Sequence, residues 1–123
     1  MRLAVPLGLA LVACGPAPAP KLSALEKSTF TPSCAFATCH KTGAPVNGLD
    51  LEGTGLYARL VDVQSTVPGK KLVVAGDLKA SYLIEKLTAA APAVGTQMPP
   101  GAPLDAADLE QIKAWVSAGA KND

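Results

Sequence analysis

The chain has 123 residues, which is the size of one compact domain. Its 11 basic and 10 acidic side chains nearly balance, which excludes a strongly basic nucleic-acid-binding protein and an acidic tail. Three cysteines are too few for a disulfide-dense scaffold, whereas 11 glycines and 11 prolines predict many turns between short elements.

The first 14 residues have the pattern of an export signal. Arg2 precedes an apolar run from Leu3 to Ala13, which is shorter than the roughly 20 residues of a membrane span. The run ends in LVAC at residues 11–14, which resembles a bacterial lipobox; an ordinary secretory signal with an incidental cysteine is the alternative. We predict a signal peptide over residues 1–13, lipidation of Cys14, and a lipid anchor facing the periplasm. By the same resemblance, Gly15 after the cysteine favours the outer membrane.

A tether over residues 14–21 is expected to precede the folded domain, residues 22–123. It contains the sequence GPAPAP, which lacks periodic apolar residues and favours an extended chain. Its predicted role is to hold the domain off a membrane surface. Cleavage of the signal peptide would leave Met98 as the only methionine and His40 as the only histidine.

Two helices are predicted in the first half of the domain. Ser23 and Glu26 have the spacing of a capping box, so a helix is expected over residues 23–30, ending before Pro32. Residues 31–55 are punctuated by glycines and read as loop. An apolar stripe of Leu56, Leu60 and Val63 then predicts a second helix over residues 56–63.

The second half predicts two further helices. Residues 72–75 form a short apolar run for which an extended conformation is expected. Asp77 is the expected cap of a helix that continues to about residue 90, with Leu83, Ile84 and Leu87 facing inward. A proline-rich loop follows over residues 91–103. Asp105 then caps the clearest helix, with Leu104 and Leu109 as a hydrophobic staple and Gly119 at its end. The expected class is all-α, with three or four short helices and long loops.

Residues 34–40, CAFATCH, carry the strongest chemical pattern. In the C-x-x-C-H signature of c-type haem, two thiols form thioethers with porphyrin vinyl groups and the adjacent histidine is an axial iron ligand. Here two more residues separate Cys34 from Cys39, while Cys39 and His40 remain adjacent. On a regular helix this spacing would place the thiols about 140° apart, so the intervening residues are expected to leave helical geometry.

Three other interpretations of this segment stay open. Cys34 and Cys39 are close enough in sequence for a disulfide, which an exported protein can form. A zinc site normally needs four ligands, more than one loop with two cysteines and a histidine supplies. Cysteine–histidine nucleophilic catalysis normally uses partners that are distant in sequence.

Met98 is a second, independent feature. It lies in the proline-rich loop, in the sequence QMPP at residues 97–100, and outside any apolar helical stripe. A lone methionine is more often a core residue. Presented by a stiff loop, its thioether is instead a candidate second axial ligand to iron.

From Phe30 to about residue 120 the chain resembles the monohaem cytochrome c domain family, in the type found in planctomycete and related bacterial exported proteins. The matching pieces, in order, are CAFATCH at 34–40, NGLDL at 47–51, GD at 76–77, SYLI at 81–84, MPP at 98–100, and Leu109, Ile112, Trp115, Val116 and Gly119. The resemblance implies a small all-α, cytochrome c-like fold around one covalent haem c. It makes Cys34 and Cys39 the thioether positions, His40 the proximal iron ligand and Met98 the distal one.

The function expected from this resemblance is a membrane-tethered carrier of single electrons rather than an enzyme. Its partners would be redox proteins, met by weak contact, with no nucleic acid bound, and the carrier is expected to be a monomer. Two alternatives remain. One is a haem sensor or peroxidase-like protein whose sixth iron site opens, and the other is a haem-free, disulfide-stapled envelope lipoprotein that acts as a binding module.

Overall fold

The computed structural model describes residues 15–36 and 38–123. The predicted signal peptide and the lipidation site Cys14 lie outside the described residues, so both stay predictions. No helix in the described ranges has the length and apolar character needed to cross a bilayer.

The described chain is helical and its regular elements are short. It has no β-strands among the described residues, in agreement with the predicted all-α class. The elements in chain order are α1 (Leu22–Leu25), a π-helix (Glu26–Cys34), a 3-10 turn (Val46–Gly48), α2 (Leu56–Leu60), α3 (Tyr82–Thr88) and α4 (Ala106–Ser117). Long loops connect them, as the many glycines and prolines predict.

The first helix differs from its prediction at both ends. It begins at Leu22, and the amides of Leu22 and Ser23 donate to Oδ1 and to the main-chain oxygen of Asp123, at 3.0 and 2.9 Å. Asp123 therefore satisfies two free donors at the helix start, including the Ser23 amide that a Ser23–Glu26 capping box was expected to satisfy. Glu26 accepts hydrogen bonds from the Thr31 hydroxyl and the Gly53 amide instead.

Pro32 does not end this helix, contrary to the prediction. The helix continues through it to Cys34 as a π-helix. In an α-helix, proline removes one hydrogen bond and its ring clashes with the carbonyl four residues earlier. The wider π-helical turn, in which hydrogen bonds reach the fifth residue, accommodates the ring and carries the helix to the first cysteine of CAFATCH.

Helix α2 is shorter than predicted, because the chain turns extended at Val61 and Asp62 adopts a positive φ of 63°. The Asp62 amide donates to the carbonyl of Val73 at 2.9 Å, so this stretch pairs with the apolar run over residues 72–75. The pairing consists of isolated bridges. Pairing with residues 72–75 thus accompanies the end of α2, whereas the spacing of the apolar residues alone would extend the helix to residue 63.

Helix α3 begins at Tyr82, later than predicted. The Asp77 carboxylate accepts from the amides of Lys79 and Ala80 and so caps a preceding turn rather than the helix. The buried Ser81 hydroxyl donates to the carbonyl of Asp77 at 2.6 Å and joins this turn to the helix start. The predicted inward face is confirmed, since Leu83, Ile84 and Leu87 are all buried.

Helix α4 agrees with its prediction. Asp105 Oδ1 accepts from the Ala107 amide at 2.8 Å, and Gly119 follows the helix with a φ of 102°. Helix α4 packs against α1. Its buried side chains join a core that spans the described domain: Leu22, Leu25, Phe30, Leu51, Leu56, Leu60, Val73, Leu83, Ile84, Leu87, Leu104, Ile112, Trp115, Val116 and Ala120.

Candidate cofactor-binding site

A cavity of about 780 Å³ lies beside this core. The end of the π-helix, the loop from residue 36 to 51, helix α3 and the loop from residue 94 to 100 contribute to its lining. Most of the lining side chains are apolar. Its volume falls within the roughly 300–1,000 Å³ of small-molecule and cofactor sites.

The structure brings the four predicted site residues of the domain to this one cavity. Cys34, Cys39, His40 and Met98 all line it, although Met98 lies far along the chain from the others. Two thiols, an imidazole and a thioether therefore face a single apolar space.

The segment between the two cysteines leaves helical geometry, as predicted. The π-helix ends at Cys34, and the Cys39 amide then donates to the carbonyl of Phe36 at 3.1 Å. The His40 amide closes the loop by donating to the carbonyl of Cys34 at 2.9 Å. The extra residues of CAFATCH are taken up by this turn, which keeps both thiols on the cavity wall.

Both cysteines are free thiols in the structure. Burial, followed by smaller effects of the nearby Cys39 and Asp108, raises the pKa of the Cys34 thiol to about 11. Cys34 is therefore protonated at neutral pH. Since the thiolate is the nucleophilic form, this environment disfavours the cysteine–histidine nucleophile.

The His40 ring is oriented for metal binding through one nitrogen. Its Nδ1 lies 3.0 Å from the carbonyl oxygen of Leu49, which can only accept a hydrogen bond, so Nδ1 carries the proton. The lone pair is then on Nε2, which hydrogen-bonds no described residue. Histidines that bind metals usually donate the other ring N–H to a carbonyl or carboxylate in this way. The Leu51 amide donates to the His40 carbonyl at 2.9 Å, so a main-chain hydrogen bond also fixes the position of His40.

Met98 is held in place by α3. Its amide donates to the Lys86 carbonyl at 2.7 Å, and the Gln97 side chain donates to the Leu87 carbonyl at 2.9 Å. These hydrogen bonds run to α3 because the free carbonyls at the end of that helix are the acceptors that the loop reaches.

Two features of the cavity were missed by sequence reasoning. Phe36, Val46 and Val94 are exposed large apolar side chains, and all three line the cavity. Of these three side chains, only Phe36 could be associated with the site from the sequence, because it lies between the two cysteines. The second feature is Arg59, which also lines the cavity.

Arg59 fixes the loop that follows the histidine-bearing segment. Its guanidinium donates to the main-chain oxygens of Asp50, Glu52, Gly53 and Thr54, at distances from 2.6 to 3.3 Å. The loop that carries Leu49, the partner of His40, is therefore held from its other side by a half-buried cation. An arginine that binds main-chain carbonyls has no distinguishing sequence pattern.

Within residues 15–36 and 38–123, no group of three or more His, Cys, Asp or Glu side chains is arranged to hold a bare metal ion. Comparisons of the chain with protein-family models, curated proteins and solved structures find no match.

Proposed function

We propose that this protein is a c-type cytochrome that carries single electrons through one covalently bound haem. The observation that supports this most is the convergence of Cys34, Cys39, His40 and Met98 on one apolar cavity. Each donor type matches a role in such a site: thiols for attachment, imidazole and thioether for axial ligation.

The cavity and its donor set fit the group. The apolar lining suits a macrocycle, and the turn over residues 35–39 presents both thiols beside the His40 ring. His40 offers a single unprotonated nitrogen, because its other nitrogen is occupied by the Leu49 carbonyl. The only side chains required to change covalently are the two thiols, which are free.

In this proposal two of the residues attach the haem covalently and the other two bind its iron. The Cys34 and Cys39 thiols would hold the haem as thioethers, each S–H adding across a vinyl C=C bond with sulfur on one carbon, hydrogen on the other and no oxidant consumed. His40 Nε2 and the Met98 sulfur would be the ligands to its iron. A haem bound there supplies an iron that gains and loses one electron.

The fixed position of Met98 favours an electron carrier over the sensor or peroxidase-like alternative. Main-chain and side-chain hydrogen bonds to α3 hold the Met98 loop, so Met98 would be available as an iron ligand together with His40. Peroxide or gas chemistry needs an open axial position and, for peroxide, acid–base groups beside it. A six-coordinate site serves electron transfer, in which nothing binds to iron.

The proposal includes a membrane anchor. The lipobox-like residues 11–14 and the tether that follows support export and lipidation of Cys14. A domain held near the membrane would meet redox partners by diffusion in the periplasm. Mass spectrometry of the N-terminal peptide tests this part; an intact Met1 or an unmodified Cys14 would contradict it.

Covalent haem is the decisive test. The full chain should be expressed in a bacterium that matures c-type cytochromes, and haem should remain on the polypeptide after denaturing electrophoresis. Cys34→Ser and Cys39→Ser should each leave at most one thioether and reduce the haem yield, and the double variant should retain none. Ser33→Ala is the matched control, because Ser33 also lines the cavity but carries no thiol.

A haem-free wild-type protein would contradict the proposed function. Wild-type protein with a Cys34–Cys39 disulfide and no haem, produced beside correctly matured cytochromes, would overturn the proposal. It would favour the disulfide-stapled envelope lipoprotein.

A further inference from the structure

We propose that Lys86 is the residue that positions Met98, and that it does so by holding the Met98 loop from both sides. The inference rests on the proposed function only where it concerns iron ligation. The claim that Lys86 orders residues 93–98 rests only on hydrogen bonds within the protein and does not require haem.

Lys86 contacts the loop through its main chain and its side chain. Its carbonyl accepts from the Met98 amide at 2.7 Å. Its Nζ donates to the carbonyl of Val94 at 3.0 Å and to that of Thr96 at 2.6 Å. The three contacts bracket the loop segment that immediately precedes the methionine side chain.

The neighbours of Lys86 on α3 reinforce this arrangement. The Glu85 carboxylate accepts from the Ala93 amide at 2.7 Å, and the Leu87 carbonyl accepts from the Gln97 side chain at 2.9 Å. Three consecutive residues of one helix thus bind successive parts of one loop. Of these, only Lys86 binds the loop with both its side chain and its main chain.

Lys86 forms no salt bridge within the described ranges. Its hydrogen bonds go to carbonyl oxygens, whereas the lysines that pair with carboxylates in the described ranges are Lys70, Lys71 and Lys113. The side chain is half-buried and lines the cavity that Met98 also lines. Charge-assisted hydrogen bonds are stronger than neutral ones, so an ammonium in this position orders the loop more than a neutral donor would.

The test compares Lys86→Leu with Lys86→Arg, which keeps a charged donor, and with Lys79→Leu as control. Lys79 is exposed and its side chain hydrogen-bonds no described residue. The first readout is amide hydrogen exchange in the protein as purified. We expect the Ala93 and Met98 amides of Lys86→Leu to exchange about tenfold faster, because the variant loses both side-chain hydrogen bonds of Lys86 to the loop.

In the same variant, amides of α4 should exchange at the wild-type rate, which separates loop release from general destabilisation. Lys86→Arg should restore most of the protection, and Lys79→Leu should match the wild type. The second readout, in haem-loaded protein, is the ferric absorption spectrum with its methionine–iron band and the reduction potential. Both should shift toward a site without methionine in Lys86→Leu, while covalent haem content stays unchanged.

The outcomes separate the two proposals. Absence of covalent haem from the wild-type chain overturns the proposed function, and the exchange data still decide whether Lys86 orders the loop. Unchanged exchange at Ala93 and Met98 in Lys86→Leu overturns the positioning role, whatever the haem content. Unchanged spectrum and potential in loaded Lys86→Leu overturn the link to Met98 ligation.

Discussion

At the scale of single residues, Met98 is the group whose role is easiest to isolate. It is half-buried, packs beside the core, and lines the cavity from a loop that hydrogen bonds hold independently of its side chain. Truncating it should therefore change the site more than the fold.

If haem is bound as proposed, Met98→Ala should open the sixth position of the iron and lower the reduction potential, because a thioether favours the ferrous state. The shift should be a measurable part of the roughly 0.8 V range that axial ligands span. Met98→His should stay six-coordinate and also lower the potential. Absorption spectroscopy with added imidazole and redox titration measure both.

An unchanged ferric spectrum and potential in Met98→Ala would mean that this methionine only fills space. The sixth ligand would then be a lysine or solvent, and the sensor or enzyme alternative would gain support.

The candidate site was partly predictable from the sequence at this scale. Cys34, Cys39 and His40 belong to one local pattern, so their proximity needs no tertiary information. Lys86 and Arg59 act by donating to main-chain carbonyls of loops. Their acceptors come within reach only after folding, and a lysine in that role has the same sequence context as a solvated one.

At the scale of elements, Glu26 joins the first helix to the loop beyond the histidine. Its carboxylate accepts from the Thr31 hydroxyl at 2.7 Å and from the Gly53 amide at 3.1 Å. These two hydrogen bonds, in that order, hold the pKa of Glu26 below its usual value of 4.5. The folded state thus favours the ionised carboxylate.

The sign of the pH dependence follows from this lowered pKa. The stabilisation is present above the unfolded-state pKa of 4.5 and is lost as the pH falls through the lower folded-state pKa. Glu26→Gln should reduce the unfolding free energy at neutral pH and flatten its decline in acid. Urea denaturation across the acid range measures both, with Glu110→Gln on the exposed face of α4 as control. Coincident stability curves for wild type and Glu26→Gln across the acid range would show that Glu26 contributes nothing.

Asp123 gives a second prediction at this scale. Its side chain accepts from the Leu22 amide and so caps the start of α1. Asp123→Ala should cost about 1 kcal/mol of unfolding free energy, the usual effect of losing a capping side chain. Asn122→Ala, at an exposed neighbouring position, is the control for thermal or urea denaturation. Equal stability of the two variants would contradict the capping role.

Helix faces were easier to predict than helix ends. The inward face of α3 follows from the spacing of Leu83, Ile84 and Leu87 alone. The helix ends depend on residues that are distant in sequence. Asp123 caps the start of α1, and the Asp62 amide hydrogen-bonds Val73 where α2 has ended. The cap at Asp105 was predictable because its acceptor and donor are two residues apart.

At the scale of the whole molecule, the chain has few aromatic residues for its length. Aromatic residues make up only 4% of the chain, and the cavity of about 780 Å³ lies against the core rather than inside it. An apolar space of that size lacks the packing contacts that a filled core has. The bound group would then contribute part of the interior of the fold.

We therefore predict that the haem-loaded protein is markedly more stable than the unloaded one. Filling the cavity adds apolar contacts, and two thioethers restrict the unfolded chain. Urea denaturation of both forms, followed by circular dichroism, should give a higher midpoint for the loaded protein. Coincident transitions would show that the cavity contributes no stability when it is filled.

The exposed apolar side chains at the cavity favour self-association of any copy that has not yet acquired a cofactor. Phe36, Val46 and Val94 line the same cavity and are exposed to solvent. Exposed apolar patches promote self-association. Under the proposed function, a newly exported chain would have a limited time to acquire haem, because every encounter with another copy would compete for the same surface. Cofactor loading would then determine colloidal stability as well as redox activity.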